Sequence, residues 1–234
     1  MAKGIIYVCS TAIPGLIKIG KAGTDNFEQR MRKLEKDGYN NANALKREFA
    51  IEVDNYDEKE KLLDAVLSKI QVGGTTSELF ALDIELAKQL LSSLQGTPVY
   101  PVGVTSEEVF EEATEAVNSS LLPNGIYTLE VNSQGVNHTC KGTLEVTNGS
   151  MKLKKGSVLS IDVTRNGITK GWLNLRDSLK IDENHVLQED VPCKSVSQAA
   201  FLVIGTSNNG WVKWLDSEGN FIQRYKPVDN DEED

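Results

Sequence analysis

The amino-acid sequence predicts an α/β (α+β) protein of two domains. At 234 residues the chain is long for one domain and sufficient for two. Its first part alternates strand-like and helix-like periodicities, whereas the part after residue 123 consists of short β-like runs separated by Gly and Asn turns. We predict domains over 1–97 and 123–228, a linker with an acidic helix over 98–122, and an acidic tail over 229–234.

The first domain is expected to be a small three-stranded sheet with helices packed on it. An apolar run and a second strand-like run flank a Pro/Gly turn, which is typical of a β-hairpin. Apolar residues then recur at helical spacing in three later segments. Asp25 or Asn26 is expected to cap the first helix. In chain order the predicted elements are strands over 4–10 and 16–22, a helix over 27–36, a strand over 46–53, and helices over 58–70 and 83–94.

The second domain is expected to be a small α+β module rich in short strands. Asn148-Gly149 and Asn166-Gly167 are typical hairpin turns. A short helix is predicted over 195–205, with Ser195 or Ser197 as its cap. The segments 208–214 and 221–225 are predicted to form a closing hairpin.

The net charge of −9 does not exclude a nucleic-acid partner, because the acidic residues are concentrated in two segments. Residues 105–115 carry five Glu, and residues 229–234 carry five acidic residues. Residues 18–47 hold eight basic residues against four acidic ones. A basic surface is therefore expected near the N-terminus, where Arg32 and Lys33 are candidate nucleic-acid contacts.

The sequence also limits the cellular setting. No apolar run reaches the roughly 18 residues of a membrane span, and the N-terminus has no signal-peptide core. Cys9, Cys140 and Cys193 are odd in number and far apart, which favours a reducing cytoplasm over a disulfide framework. We expect a cytoplasmic protein without a membrane partner.

The first hairpin carries the most specific motif. Gly4-Ile5-Ile6-Tyr7 lies on one strand, Lys18-Ile19-Gly20-Lys21 lies on the next, and Arg30 follows on a helix. With Glu78-Leu79-Phe80 further along, residues 4–95 resemble the GIY-YIG nuclease superfamily. They are most similar to the phage and bacterial branch in which the second motif is KIG.

The resemblance implies a set of catalytic residues for phosphodiester hydrolysis. Glu60 aligns with the carboxylate that holds one divalent metal, Mg²⁺ or another ion such as Mn²⁺. Tyr7 aligns with the proposed general base. Lys18 and Lys21 are expected to lower the pKa of Tyr7 and to bind phosphate, and Arg30 is expected to clamp the scissile phosphate. Glu58 is the alternative ligand if the alignment of this helix is shifted.

The sequence departs from the wider family at several positions, and these departures leave three functions open. Lys18 replaces the second tyrosine, Leu34 stands where a His or Tyr is common, and Asp64 stands where His is common in this branch. The main hypothesis is a metal-dependent DNA endonuclease whose second domain recognises the substrate. The alternatives are a catalytically degenerate scaffold that binds DNA, including modified DNA, and a regulatory subunit that contacts a protein through the acidic helix or tail.

The second domain resembles a different family. Residues 155–160 and 195–222 are similar to a C-terminal domain of unknown function that accompanies GIY-YIG nucleases and restriction-modification proteins. Trp211 and Trp214 are three residues apart, so on a straight strand they would lie on opposite faces. Trp211 is therefore a candidate stacking surface, and Asn208 and Asn209 are candidate nucleic-acid contacts. The competing interpretation is that these three residues are structural.

Overall fold

The computed structural model describes residues 2–40, 42–73, 77–132 and 138–227. It divides the chain into two compact units, Met1–Thr114 and Glu115–Asp234, and the division falls within the acidic helix. Both units combine a sheet with helices, which confirms the predicted α+β class. No helix in the described part of the chain is both long and apolar enough to cross a membrane.

The first unit is built on a six-stranded antiparallel sheet in the order β4-β5-β2-β1-β3-β6. Its strands are β1 Lys3–Ser10, β2 Leu16–Ala22, β3 Lys46–Asp54, β4 Gln71–Val72, β5 Leu79–Ala81 and β6 Gly96–Tyr100. Its helices are α1 Phe27–Asp37, α2 Tyr56–Leu67, α3 Ile84–Ser92 and the first turns of α4 Ser106–Ser120.

Helices cover both faces of this sheet, and this explains why β1 is apolar throughout. Successive side chains of a strand point to opposite faces. Ile6 and Val8 pack with α2 and α3, whereas Tyr7 and Cys9 pack with α1. Phe27, Met31 and Leu34, which the sequence places on one face of α1, are all buried.

The expectation of a three-stranded sheet is corrected to six strands. The strands β4 and β5 contain two and three residues, which is too few to show an alternating pattern. The strand β6 extends from the end of the predicted first domain into the predicted linker and pairs with β3. Its Pro98 fits an edge strand, where a residue without an N–H group is tolerated.

The second unit contains a four-stranded antiparallel sheet and a buried helix. The sheet order is β10-β9-β8-β7, and α6 is buried from Val196 to Val203 except for Ser197. Ser195 caps α6 by accepting a hydrogen bond from the N–H of Gln198, as one of the two predicted caps. The bounds are β7 Gly125–Asn132, β8 Thr139–Thr147, β9 Ser150–Leu153, α5 Lys170–Asp177, β10 Val191–Cys193 and α6 Val196–Ile204.

Two expectations for the second unit are wrong. The helix α5 was not expected, because its sequence mixes Gly, Asn and aromatic residues. The closing hairpin is replaced by two short 3₁₀ turns, Gly210–Val212 and Ile222–Tyr225, with a single bridge between Leu215 and Phe221. Because the first segment is a turn rather than a strand, the alternation argument does not apply to its two tryptophans.

Candidate active site in the first unit

The hairpin motif lies at the part of β2 that extends beyond its neighbouring strand β5. The strand β5 pairs with β2 only from Leu16 to Lys18. After Ile19, whose N–H donates to the carbonyl of Glu78, β2 has no further strand partner on that side among the described residues. This short segment, Gly20–Ala22, is called the free edge of β2 below.

On the α1 side of the sheet, the free edge is bordered by a phenol, two cations and a carboxylate. The Nε atom of Arg30 donates a hydrogen bond of 2.7 Å to the hydroxyl of Tyr7. The carboxylate of Glu78 accepts a hydrogen bond from Lys18, and its Oε2 atom is 3.7 Å from the Nη2 atom of Arg30. These four residues form the α1-side group.

Gly20 permits this arrangement because it has no side chain. It pairs directly with Tyr7 across the strands, so both residues face α1. A Cβ atom at Gly20 would lie 2.7 Å from the Tyr7 hydroxyl and 2.9 Å from the Nζ atom of Lys18. The glycine of the KIG motif is therefore required for the phenol and the ammonium to approach the backbone.

On the α2 side, a second group surrounds Lys21. Lys21 pairs with Ile6, which packs against α2, so its side chain starts on the face opposite to Tyr7. Its Nζ atom is 2.6 Å from a carboxylate oxygen of Asp57 and 2.6 Å from one of Glu60. These three residues form the α2-side group, in which two carboxylates raise the pKa of Lys21 through hydrogen bonds.

The structure therefore separates the five predicted catalytic residues into two groups. Tyr7, Lys18 and Arg30 belong to the α1-side group, whereas Lys21 and Glu60 form an ion pair in the α2-side group. The charges of both groups affect the pKa of Asp64. Its pKa is raised by burial and then by the charge of Glu78, and it is lowered in part by Lys21 and Lys18.

Tyr7 and Lys18 are fully buried, and burial controls their ionisation. The pKa of Tyr7 is raised by burial, and the hydrogen bond from Arg30 offsets only part of this effect. The expectation that neighbouring lysines lower the pKa of Tyr7 is therefore wrong. The pKa of Lys18 is lowered by burial, and the carboxylate of Glu78 offsets that change in part. At neutral pH the phenol stays protonated.

Arg32 and Lys33 lie on the exposed side of α1. Neither has an ion pair within the described ranges, and Lys36, one turn after Arg32, is exposed as well. Unpaired basic residues attract phosphate, and the role of this surface as a nucleic-acid contact stays a prediction. Arg30 lies on the same helix with 41% of its side chain exposed.

The candidate contacts in the second unit have internal partners. Trp211 is only 1% exposed, and its indole N–H donates to Glu115 over 3.0 Å. Its assignment as a stacking surface is corrected, because no ring face is open to a base. Asn209 accepts a hydrogen bond from the N–H of Trp211 and caps the 3₁₀ turn, and Asn208 donates to the carbonyl of Thr206. The acidic tail lies outside the described residues.

The donor set for a metal is small but fits a hydrated divalent ion. No group of three or more His, Cys, Asp or Glu side chains able to hold a metal occurs within the described part of the chain. Mg²⁺ commonly takes only one or two carboxylates and keeps several waters. Glu60 and Asp64 are one helical turn apart on α2 and therefore share a face. The pKa of Asp64 is raised first by burial and then by the charge of Glu78.

Sequence reasoning did not assign three residues of this region as site residues. Glu78 and Asp57 each form an ion pair with a predicted catalytic lysine. Tyr39 lies with its ring centroid 4.2 Å from the Nζ atom of Lys18. Glu78 could have been assigned from its place directly before a short strand beside the KIG motif, whereas no local pattern identifies Tyr39.

Comparison with known families agrees with this division of the chain. Residues 4–95 match the family model of the T5orf172 domain, and residues 132–226 match DUF4357, a domain of unknown function. The match of residues 132–226 confirms the predicted C-terminal domain of unknown function. T5orf172 is an endonuclease-like domain, and the match suggests a nuclease-like or DNA-binding role for residues 4–95. No curated protein and no solved structure matches the chain.

Proposed function

We propose that the protein is a GIY-YIG-type, divalent-metal-dependent endonuclease that hydrolyses phosphodiester bonds in DNA. One observation carries this proposal: the α1-side group places a phenol, an ammonium and a guanidinium together beside the free edge of β2. These residues lie within the segment that matches the endonuclease-like domain. Hydrolysis of a phosphodiester needs such cations to stabilise the negative charge of the transition state.

Arg30 is the residue best placed to bind the scissile phosphate. Its Nε atom is fixed by the Tyr7 hydroxyl, so the planar guanidinium has a defined orientation. The Nη2 atom of the guanidinium lies 3.7 Å from the Oε2 atom of Glu78, and 41% of the Arg30 side chain is exposed. A phosphate oxygen can therefore accept from the Nη atoms, while Lys18 contributes positive charge from below the surface.

Glu60, with Asp64 beside it, would hold the metal. A bound Mg²⁺ or Mn²⁺ ion supplies Lewis-acid stabilisation and a more acidic water. The Glu60 side chain is 13% exposed, and its carboxylate lies 2.6 Å from the Nζ atom of Lys21, which orients it. Lys21 also balances Asp57, so that the negative charge of this helix face does not repel a phosphodiester.

The second unit, whose residues 132–226 match a domain of unknown function, is proposed to select the substrate. The setting proposed for the reaction is the reducing cytoplasm, and the free state of Cys9, Cys140 and Cys193 supports it. The acidic helix remains a proposed protein contact, although Glu115 on it is engaged by Trp211 and Ser197.

A second function, DNA binding without cleavage, is favoured by the burial of Tyr7. A fully buried phenol whose pKa is raised does not act as a base at neutral pH. Under this second proposal Arg30, Arg32 and Lys33 bind the DNA backbone, and no bond is cleaved.

The test is to incubate wild type, Glu60→Gln and Glu58→Gln with labelled single- and double-stranded DNA and Mg²⁺. Glu58 is an exposed carboxylate on the same helix, which makes it a matched control. We expect Glu60→Gln to reduce cleavage by about 100-fold or more, since loss of even an outer-shell partner of a metal ligand costs ~10–100-fold.

Equal cleavage by wild type and Glu60→Gln would remove Glu60 as the ligand. A larger loss in Glu58→Gln would assign the metal to that residue instead. Binding of DNA by wild type with no cleavage of any substrate, with or without the metal, would select the second function over the first.

A further inference from the structure

The two tyrosines near the free edge of β2 differ in what they can reach. Tyr7 is 0% exposed, and its hydroxyl oxygen already accepts the hydrogen bond from Arg30. Its ring is enclosed by Phe27, whose centroid is 6.1 Å away, and by the backbone at Gly20. A buried hydroxyl in this position can act on the substrate only through Arg30.

Tyr39, in contrast, is half-buried and reaches the same group from the turn after α1. Its N–H donates to the carbonyl of Ala42 over 2.9 Å, and the N–H of Ala42 donates back over 2.8 Å. Gly38 precedes it with a φ of +75°, a conformation that glycine adopts without strain. These contacts fix the direction in which the Tyr39 side chain leaves the backbone.

The ring and hydroxyl of Tyr39 lie among the charged atoms of the α1-side group. The Nζ atom of Lys18 is 4.2 Å from the ring centroid, closer than the 5.5 Å that separates it from the Tyr7 ring. The pKa of Tyr39 is raised by burial and then by the charge of Glu78. Hydrogen bonds to its hydroxyl from the backbone of Glu78 and the side chain of Asn40, together with the charge of Arg30, lower it in part. The hydroxyl therefore keeps its proton at neutral pH and remains a hydrogen-bond donor.

The surface beside Tyr39 is open to a ligand. A cleft of about 450 Å³ is lined by Asn40, which follows Tyr39, and by Ser77, which precedes Glu78. Leu16 and Leu79 form part of its wall. The cleft is thus lined by the chain neighbours of Tyr39 and Glu78, and 41% of the Arg30 side chain is exposed.

We propose that Tyr39 is the phenol that contacts the substrate, donating its hydroxyl proton in a hydrogen bond to a non-bridging oxygen of the scissile phosphate. Tyr7 is then a positioning residue that holds Arg30. This inference rests on the proposed function for the identity of the ligand. It makes Tyr39, which lies outside the GIY and KIG motifs, the phenol in contact with the substrate, in place of Tyr7.

A purely structural role for Tyr39 would be to cover the ammonium of Lys18 with its ring. Phenylalanine retains the ring but removes the hydroxyl and its contacts to the Glu78 backbone and the Asn40 side chain. Tyr39→Phe therefore separates the role of the hydroxyl from that of the ring. Tyr7→Phe removes the acceptor that fixes Arg30. Tyr100→Phe, on an edge strand and outside the α1-side group, is the matched control.

The first measurement is steady-state DNA cleavage with Mg²⁺. We expect Tyr39→Phe to lower kcat by about 100-fold with KM nearly unchanged, the size of effect seen when one donor to a developing charge is removed. Tyr7→Phe should raise KM as well, because Arg30 loses its fixed orientation. Tyr100→Phe should cleave like wild type. Wild-type kcat in Tyr39→Phe would overturn the inference.

The second measurement does not depend on cleavage. The protein is labelled with carbon-13 at tyrosine Cζ, and a short DNA duplex is added without divalent metal. We expect the Tyr39 resonance, assigned from its absence in Tyr39→Phe, to move on binding, while that of Tyr7 moves less. If the Tyr39 resonance stays in place, the inference is wrong even for an active nuclease. If it moves and no DNA is cleaved, the inference stands and the endonuclease proposal fails.

Discussion

In the first unit charged side chains meet beside the free edge of β2, whereas in the second unit polar side chains form hydrogen bonds inside the fold. Arg30 and Glu78 keep 41% and 30% of their side chains exposed. Trp211 and Ser197, by contrast, both donate to the carboxylate of Glu115. Residue type alone therefore does not identify a binding surface. What marks it is a charged or polar atom that the fold leaves partly exposed.

The largest expected effect is that of Trp214→Ala, which tests whether the polar and aromatic side chains of the second unit are structural. Trp214 is 0% exposed, and its indole N–H donates to the carbonyl of Val196 over 2.9 Å. We expect Trp214→Ala to lower the free energy of unfolding by about 3–5 kcal/mol, because it leaves a large cavity and removes this buried hydrogen bond. Chemical denaturation monitored by circular dichroism measures this.

The matched control is Phe221→Ala, whose side chain is 54% exposed and whose loss should change stability little. If Trp214→Ala unfolds at the same denaturant concentration as wild type but loses DNA binding, the second unit carries a tryptophan-based contact after all. The comparison between the two units would then be wrong.

A smaller effect is expected from Gly20→Ala, which tests the functional side. The added methyl group would meet the Tyr7 hydroxyl and the Lys18 ammonium at under 3 Å, so these groups must move. We expect a loss of about 1–3 kcal/mol in unfolding free energy from overpacking. DNA cleavage should fall more than this loss explains, measured at a temperature where the variant stays folded.

Gly171→Ala is the control for Gly20→Ala, since a Cβ atom at that helical position meets nothing within 4 Å. It should leave cleavage unchanged and stabilise the protein slightly. Full cleavage activity in Gly20→Ala would show that the close approach of Tyr7 and Lys18 to β2 has no functional role.

The smallest expected effect is a dependence of stability on pH through Asp64. Its pKa is higher in the folded state than in the unfolded chain, because of burial and then the charge of Glu78. Ionisation of Asp64 therefore destabilises the folded state relative to the unfolded chain. The free energy of unfolding falls as the pH rises from the pKa of Asp64 in the unfolded chain through its pKa in the folded state. We expect Asp64→Asn to be more stable than wild type at neutral pH, with the difference vanishing in acid.

Melting temperatures of both proteins across this pH range provide the measurement. The charges of Lys21 and Lys18 lower the pKa of Asp64 in part. The stability gained from Asp64→Asn at neutral pH should therefore be larger in a Lys21→Gln background, where one of these charges is absent. A pH-independent difference between Asp64→Asn and wild type would show that the charge of Asp64 is not involved.

Much of the first unit could be predicted from local pattern. The strands β1 to β3 and the helices α1 to α3 are long enough to show their periodicity, and the structure confirms each within a few residues. The motif residues Tyr7, Lys18 and Arg30 do come together, as the hairpin and its following helix require. The short strands β4 and β5 could not be predicted, because two or three residues carry no period.

The second unit was less predictable for a different reason. Its last third folds as turns held by side-chain hydrogen bonds, such as that from the N–H of Trp211 to Asn209. The apolar content of such segments resembles that of strands. Only packing against α6 decides that both tryptophans are buried there.

The sequence by itself determined the α+β class, the hairpin motif and the basic residues of α1, since each depends on neighbours along the chain. The tertiary structure alone decided which side chains share a face. Strand register places Tyr7 opposite Gly20 and Lys21 opposite Ile6, and it thereby divides the predicted site between α1 and α2. The tertiary structure also brings Tyr39 and Glu78 to Lys18 from distant parts of the chain. Contacts of this kind depend on the folded path of the backbone, which no local pattern encodes.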